Sequence, residues 1–366
     1  MKTNFFTSES VTIGHPDKIC DTISDTILDA ALSQDPNSHM AVEATIKDNF
    51  ILVYGEANTK AIIDYEKIAK QVLKDIGYTE EYEVLVKVSK QSSEINNAVN
   101  NNDISAGDQG IMFGYATSDT KEYMPLPIQL AHKLTKRLED VRRQDKNSPL
   151  KPDGKSQVTI EYKNNKVKRI DNIVISTQHI KEITQEDLKD YVIKNVIEPV
   201  VDNNLIDENT KYIINPSGSF ILGGSFGDSG TTGRKIVVDT YGGAGKIGGG
   251  CFSSKDPSKV DRSAAYYARY VAKSIVAAGL CETIEIQLSY AIGLSKPLSI
   301  MIDTFNTNKI SEEKILEIIN DNFDFSVSNI IKELDLKRPI YAKTASYGHF
   351  GRNEFPWEQI KVLLLK

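Results

Sequence analysis

The sequence predicts an α+β fold built from three similar units, each a β-sheet covered on one face by helices. Length is the first observation, since 366 residues exceed a single typical core and favour two or three domains. The second is element order, because the N-terminal quarter of the chain reads as helix, hairpin, helix and strand. The third is that this order recurs twice. Chance agreement is the alternative, because the repeat is one of pattern and not of residue identity.

The first unit is predicted from apolar periodicity and from the residues that end each element. Its first helix ends before Pro36, the hairpin turns at Asp48-Asn49, and Gly77 stops the second helix. The predicted elements are a helix over Asp17–Gln34, strands over Met40–Lys47 and Phe50–Gly55, a helix over Tyr65–Ile76 and a strand over Tyr82–Lys90.

The second and third units follow the same pattern, and the predicted domains are 1–100, 101–222 and 223–366. Strands Gly110–Ala116 and Lys235–Tyr241 are expected to lead into the second and third units. The second unit is predicted to contain helix Pro127–Arg143, strands Gln157–Tyr162 and Arg169–Gln178, helix Gln185–Val201 and strand Lys211–Ile214. The third is predicted to contain helix Val260–Ala278, strands Glu282–Tyr290 and Leu298–Thr304, and helix Ser311–Ile319.

Composition narrows the functional class. A net charge of -6 argues against nucleic acid as a partner, because binding to its phosphate backbone usually needs a basic surplus. The sequence contains no apolar run of about 18 residues, so no membrane span is predicted. Three widely spaced cysteines fit neither a disulfide framework nor a cysteine-based zinc site. We therefore expect free thiols and a cytoplasmic protein.

Glycine and lysine are concentrated between Tyr241 and Lys259. Within this segment, Gly243–Gly248 matches the dinucleotide fingerprint G-x-G-x-x-G, but Pro257 delays the following helix to about Val260, whereas a Rossmann turn opens a helix at once. No P-loop motif occurs in the sequence. A G-x-S-x-G match at 223–227 also lacks a following helix.

A cradle for phosphate is the remaining interpretation of this segment. Glycine lets the backbone approach an anion closely, and Lys246, Lys255 and Lys259 supply compensating charge. The helix start near Val260 adds exposed N–H groups. A flexible connection with solvated lysines is the alternative.

A second candidate is Gly14–Lys18, which combines a histidine, a carboxylate and an ammonium group at a helix start. Asp17 is a typical helix cap and His15 a typical surface residue, so a structural role is the alternative. Together with Asp261 at the later helix entry, Asp17 offers a second carboxylate for magnesium, which binds one or two acidic ligands plus substrate phosphates.

Further candidates are polar residues with ordinary structural alternatives. Glu43 interrupts an apolar strand and is either solvent-facing or part of an ion site. Asp153 and Asp228 lie in predicted turns. The segment Asn96–Gly107 suits a loop, which is either a lid beside a site or a linker between units.

Several blocks of residues resemble a known family, the methionine adenosyltransferases, also called S-adenosylmethionine synthetases. The match runs in order along nearly the whole chain. The blocks are FTSES (Phe6–Ser10), GHPDK (Gly14–Lys18), AGDQG (Ala106–Gly110), GRKIVVDTYGG (Gly233–Gly243), GGGCFSSKDPSKVDRSAAY (Gly248–Tyr266) and YGHFGR (Tyr347–Arg352).

The resemblance implies a reaction, a fold and an assembly. Methionine sulfur would attack C5′ of ATP, giving S-adenosylmethionine and tripolyphosphate, which is then hydrolysed to diphosphate and phosphate. Three units of β-α-β-β-α-β type would surround a pseudo-threefold axis. The sheets would pack at the interface of a homodimer with shared active sites, and two dimers could form a homotetramer.

The resemblance also assigns residues. Catalytic roles fall to His15, which would lie at O5′, and to Lys155, Arg234 and Lys235, with Arg234 also the candidate for tripolyphosphate hydrolysis. The expected ATP contacts are His15, Asp153, Lys155, Phe220, Asp228, Arg234, Lys235 and Lys255. The expected methionine contacts are Glu56, Gln91, Asp228 and Lys259. Asp17 and Asp261 would bind two Mg²⁺ ions, and Glu43 would bind K⁺.

Departures from the family pattern bear on the nucleotide site. Ser219 stands where bacterial relatives usually carry arginine, Cys251 replaces an alanine, and the Asn96–Gly107 loop is short. Two rival functions are a polyphosphate- or nucleotide-binding module and another ATP-dependent transferase such as a kinase. The first would not need His15 with two separate carboxylates, and the second lacks its P-loop or kinase motifs.

Overall fold

The computed structural model describes residues 3–90 and 104–365. In this part of the chain the strands form three sheets, each covered by helices, so the predicted α+β class with three sheets is confirmed. No helix among these residues is long and apolar enough to cross a membrane. The three cysteines are free.

The first sheet has the strand order β4-β3-β2-β9. Helices α1 and α2 pack on it, and α1 contacts β2 directly. The turn at Asp48 has a φ of 51°, as the predicted Asp-Asn hairpin requires. The elements are α1 (Pro16–Leu32), β2 (His39–Lys47), β3 (Phe50–Asn58), α2 (Tyr65–Ile76), β4 (Glu83–Ser89) and β9 (Gly230–Thr231).

The second sheet has the order β1-β6-β7-β8, and its first strand was not predicted. Strand β1 pairs antiparallel with β6, placing Val11 opposite Lys155. Strand β1 consists mostly of polar residues, and the residues on one of its faces are exposed over much of its length. The elements are β1 (Thr3–Val11), α3 (Leu126–Gln144), β6 (Leu150–Lys163), β7 (Lys166–His179), α4 (Gln185–Val192) and β8 (Lys211–Ile214).

The third sheet has the order β11-β10-β5. Strand β5 was expected to lead into the second unit, but it pairs with β10 in the third sheet. The elements are β5 (Gly110–Thr117), α6 (Val260–Ala277), β10 (Thr283–Tyr290), β11 (Ser299–Asp303), α7 (Glu312–Asn322) and α8 (Val327–Glu333). Strands β1, β5 and β9 thus each join a sheet made mainly from another part of the chain. The domain boundaries given above stay a prediction.

Two local predictions were wrong, and one helix was not predicted. The segment Lys235–Tyr241 is not a strand, because Ile236–Asp239 forms a short helix, α5, in which Asp239 N donates to Lys235 O at 2.8 Å. The helix predicted over Gln185–Val201 is α-helical only to Val192 and continues as a π-helical turn over Ile193–Ile197. Helix α8, which follows Ser326, was not predicted.

The apolar core is divided into two parts. One part lies beneath the second sheet, and the other is shared by α1, α6 and the first and third sheets. Helix α6 is buried on nearly all sides, including three of its charged residues, Arg262, Arg269 and Lys273. Arg269 and Lys273 are both satisfied by the buried carboxylate of Glu358, at 2.9 and 2.8 Å. Charged groups can lie in this core because each is paired.

Gly114 of β5 marks the closest approach of the third sheet to α6. An added Cβ would overlap the backbone of Ala268. We predict that Gly114→Ala lowers the free energy of unfolding by about 1–3 kcal/mol, because the strand must move away from the helix. Urea-induced unfolding followed by circular dichroism measures the change. Gly249→Ala is the matched control, since its Cβ would meet nothing within 4 Å; equal midpoints for the two variants would contradict the packing argument.

Candidate active site

The N-terminus of α1 is built from the Gly14–Lys18 motif. His15 is the N-cap, and its Nδ1 accepts from Asp17 N at 3.2 Å, while Pro16 starts the helix. Tyr78 donates its hydroxyl to Gly14 O at 2.7 Å and fixes the turn before the cap. His15 and Asp17 are both buried, at 4% and 1% exposure. The predicted capping position is thus taken by His15, which leaves the Asp17 carboxylate available to other groups.

The loop that follows β9 lies against this helix start. Asp17 Oδ1 accepts from Thr231 N at 3.0 Å, and Lys235 Nζ contacts Asp17 Oδ2 at 2.5 Å. Arg234 Nε lies 3.6 Å from Asp17 Oδ1, and its side chain is 52% exposed. Two cations therefore meet one buried carboxylate, and the guanidinium group still faces solvent.

These charges set the protonation of the site. Burial and, to a smaller extent, the nearby Lys235 and Lys155 together lower the pKa of His15 to about 3. Burial raises the pKa of Asp17, but the hydrogen bonds from Lys235 and Thr231 outweigh it and lower that pKa overall. At neutral pH the site thus holds a neutral imidazole beside an ionised carboxylate.

Strand β6 brings Asp153 and Lys155 to the same region. Asp153 Oδ2 accepts from Gly224 N at 2.8 Å, and burial raises its pKa to about 6. Lys155 is exposed, and its charge acts on both His15 and Asp153. Thr12 N donates to Gly154 O at 2.9 Å, which ties β6 to the chain just before His15.

The glycine-rich segment surrounds a second carboxylate. Lys255 Nζ contacts Asp261 Oδ2 at 2.6 Å, and Lys255 forms an isolated β-bridge with Ala41 of β2. A Cβ at Gly250 would overlap the Asp261 carboxyl group, so a larger residue at this position would displace that carboxylate. Lys255 and Asp261, both predicted site residues, are thus neighbours, as Lys235 and Asp17 are at the start of α1.

The other lysines of this segment are engaged elsewhere. Lys259 Nζ contacts the buried Asp256 at 2.5 Å. Lys246 contacts the buried Glu285 at 2.6 Å, although its side chain is 60% exposed. Only Lys255 of the three therefore pairs with a predicted metal ligand.

Glu43 lies on β2 beside the glycine-rich segment. Its Oε2 accepts from the Tyr54 hydroxyl at 3.1 Å. Burial raises the pKa of the Cys251 thiol to about 11; Lys255 acts against this shift, while Asp21, Glu43 and Asp261 add to it. These three carboxylates therefore share one region with Lys255 and Cys251.

The remaining predicted residues are placed less closely. Glu56 and Asp228 are exposed, and Asp228 Oδ1 accepts from Ser229 N. Phe220 is half-buried, and its N–H donates to His179 Nε2 at 3.0 Å. Gln91 and most of the Asn96–Gly107 loop lie outside the described residues. One group consists of Asp17, Arg234 and Lys235, and the other of Asp261 and Lys255. In the described part of the chain, no ion pair joins these two groups directly.

Sequence reasoning missed the buried carboxylates behind the site. Asp21 Oδ1 accepts from Gly233 N at 2.8 Å, next to Arg234. Lys18, fully buried, pairs with both Asp21 and Asp239, and these carboxylates raise its pKa although burial lowers it. A signal was present, since α1 carries an aspartate at every fourth position from 17 to 29 among its core-facing residues.

Cations, carboxylates and a glycine-rich backbone in three α+β units are typical of an enzyme that binds a polyphosphate substrate. Family models give the particular class: S-adenosylmethionine synthetase N-terminal domain matches residues 3–102, the central domain 103–220 and the C-terminal domain 222–359. S-adenosylmethionine synthase from Clostridium tetani (strain Massachusetts / E88) is 52% identical over 380 residues, covering 98% of this chain and 97% of its own.

The chain belongs to the S-adenosylmethionine synthetase family. Its activity is that of a methionine adenosyltransferase, a transferase of S-adenosylmethionine biosynthesis. This result favours the enzyme over both rivals, the polyphosphate-binding module and the kinase.

We predict that His15 stays neutral throughout the range from about pH 5 to 8, in which a free histidine titrates. The reason is burial next to Lys235 and Lys155, which holds its pKa near 3. Nuclear magnetic resonance of nitrogen-labelled histidine measures this, with the His15 signals assigned by their loss in His15→Gln. A midpoint near 6.5, the ordinary value, would contradict it.

Proposed function

We propose that His15, Lys155, Arg234 and Lys235 are the catalytic residues of S-adenosylmethionine formation. In the proposed reaction methionine sulfur attacks C5′ of ATP, the C5′–O5′ bond breaks, and the electron pair leaves with tripolyphosphate. The chemical problem is charge, because the leaving group carries about four negative charges and must be met by preorganised cations and donors. The convergence of Lys235 and Arg234 on Asp17, beside a neutral His15, is the observation that supports this proposal.

His15 is proposed to stabilise the leaving oxygen O5′. A neutral imidazole can donate a hydrogen bond to an oxygen as negative charge develops there. Its Nδ1 accepts from Asp17 N, so the proton of the neutral ring lies on Nε2. That donor orientation supports the role.

Lys155, Arg234, Lys235 and Lys255 are proposed to bind the polyphosphate. Lys155 is exposed and Arg234 is half-exposed, so their charges can reach a ligand without a large rearrangement. Lys235 and Lys255 are paired with carboxylates, so each must exchange its partner when phosphate binds. Arg234 is further proposed to act in the hydrolysis of tripolyphosphate.

Two Mg²⁺ ions per site are proposed, with Asp17 and Asp261 each supplying one carboxylate. Within residues 3–90 and 104–365 no group of three or more histidine, cysteine, aspartate or glutamate residues could hold a metal alone. Single carboxylates fit Mg²⁺, which binds through one or two acidic ligands plus substrate phosphates. When bound, the ions would neutralise phosphate charge. Glu43, with the Tyr54 hydroxyl beside it, is proposed for K⁺.

The substrate contacts are proposed residue by residue. Asp153, Phe220 and Asp228 are assigned to ATP, while Glu56, Gln91, Asp228 and Lys259 are assigned to L-methionine. Asp153 and Lys155 lie close together on β6, which supports their proposed contacts with ATP. Lys259 lies at the N-cap of α6, and its ammonium group binds Asp256. Its proposed contact with methionine therefore requires this ammonium group to bind Asp256 and methionine at the same time.

A homodimer with shared active sites is proposed as the assembly, with a homotetramer as a further possible state. Exposed apolar side chains on the outer face of the third sheet support it. Ile111 and Met301 are 46% and 44% exposed and lie on strands either side of β10. The three free thiols fit the proposed cytoplasmic location.

The reaction is tested by incubating the protein with ATP, methionine, magnesium and potassium. We expect S-adenosylmethionine, diphosphate and phosphate, and His15→Ala is expected to lower kcat by about two to four orders of magnitude. Absence of products from folded wild-type protein would refute the reaction. Near-normal turnover of the variant would remove His15 from catalysis while leaving the reaction intact.

Replacing Arg234 separates the two half-reactions. Arg234→Gln is expected to slow tripolyphosphate hydrolysis more than S-adenosylmethionine formation, because the exposed guanidinium group is available to an attacked phosphate. Hydrolysis is measured with added tripolyphosphate, and formation is measured in a single turnover with ATP and methionine. Lys121→Gln, an exposed cation of a surface turn, is the control. Equal losses in both steps would mean that Arg234 only binds ATP.

A further inference from the structure

A cavity of about 230 Å³ lies between α3 and the segment Tyr347–Arg352. None of its lining residues has a role in the proposed reaction. Its volume exceeds the ~150 Å³ of an engineered protein cavity that binds benzene. The cavity is therefore large enough for one aromatic ring with a substituent.

The lining combines apolar surface with positive charge. Met124, Tyr347 and Phe350 supply the apolar surface, while Lys133 and Lys136 extend from successive turns of α3. Arg352 is a third cation of the lining, but it is paired with Glu354 at 2.8 Å, so the two lysines carry the charge available to a ligand. The two lysines are half-exposed, and their ion pairs with Glu122 and Asp140 lie at the surface, where such pairs contribute little. This chemistry favours a ligand with an aromatic ring and an anionic group.

A buried carboxamide also points to a ligand. Gln129 lines the cavity and is 7% exposed, and among the described residues its Nε2 has no hydrogen-bond partner. A buried amide donor without a partner is unfavourable, because it has lost its hydrogen bonds to water and gained none in the protein. A carboxylate or phosphate oxygen of a bound molecule would supply the missing acceptor.

The cavity is connected to the helix start that carries His15. The Tyr347 hydroxyl accepts from Ile13 N at 3.2 Å, two residues before His15. His132, also in the lining, bonds to the Ser10 hydroxyl at 2.8 Å through Nδ1. Two lining residues thus hold the chain that leads into the active site, so a ligand that shifts Tyr347 also shifts Ile13.

We propose that this cavity binds a small aromatic anion, a carboxylate or phosphate carried on one ring, and that its occupancy changes the KM for ATP through Tyr347 and Ile13. Nothing in the proposed reaction requires this ligand, so the site is regulatory.

Binding is tested by calorimetry on the full chain with benzoate and with its neutral counterpart benzamide. We expect saturable benzoate binding that is about five- to tenfold weaker in Lys133→Gln/Lys136→Gln, because two exposed charges are lost. Gln129→Leu, which removes the amide at similar volume, is also expected to weaken it. Lys67→Gln/Lys74→Gln is the matched control, with both lysines exposed on α2, and should bind as the wild type does.

Two results would overturn the binding site: no saturable binding, or equal affinity in the Lys133/Lys136 variant. Equal affinity for benzamide would overturn the anion preference. Binding is measured without turnover, so it does not depend on the proposed reaction. For the coupling, saturating benzoate should change the KM for ATP at least twofold in the wild type and in the control, and the Lys133/Lys136 variant should need about five- to tenfold more benzoate for the same change. An unchanged wild-type KM would overturn the coupling.

Discussion

A stripe of carboxylates along α1 is the constraint on which the rest of the structure depends. Asp17, Asp21, Asp25 and Asp29 lie at successive fourth positions, and the first three are at most 1% exposed. A carboxylate in such a place is tolerated only when donors reach it. Asp17 and Asp21 hold the 231–235 loop, Asp25 holds the 253–262 region and Asp29 holds the 341–342 turn, so three separate parts of the chain are anchored to this one helix.

The aspartates of α1 differ in how exposed their cationic partners are. Arg262 binds both oxygens of Asp25 at 2.8 Å and packs over the Tyr341 ring at 4.3 Å, with every group buried. Breaking such a pair costs about 3–5 kcal/mol, against a total stability of about 5–15 kcal/mol for a typical protein. At the other end, Asp17 meets cations that stay partly exposed. The same interaction thus fixes the fold at Asp25 and leaves charge available to a ligand at Asp17.

Elements whose partners are close in sequence could be predicted, and those that depend on distant partners could not. Apolar spacing gave α1 and the hairpin after it, because both are local. Strand β1 was missed because it pairs with β6, about 150 residues away. The β-branched run Ile236–Val238 favours a strand by propensity, yet it forms a helical turn beside the buried Lys18–Asp239 pair. For the site, glycine and lysine motifs pointed to the segments proposed to bind phosphate, whereas the second partner of Lys18, Asp239, lies 221 residues away and left no local signal.

The pairing of lysines with carboxylates explains how a strongly cationic site exists in a chain of net charge -6. Lys235 is held by Asp17 and Lys255 by Asp261, so two ammonium groups lie in place at little electrostatic cost before any anion binds. In the proposed site a polyphosphate would compete for these ammonium groups, and each carboxylate oxygen released would become free for another cation. Asp17 cannot move away in response, because Thr231 N also holds it on α1. Exchange of partners around fixed carboxylates therefore requires only side-chain motion of the lysines, while the backbone that positions His15 stays where α1 holds it.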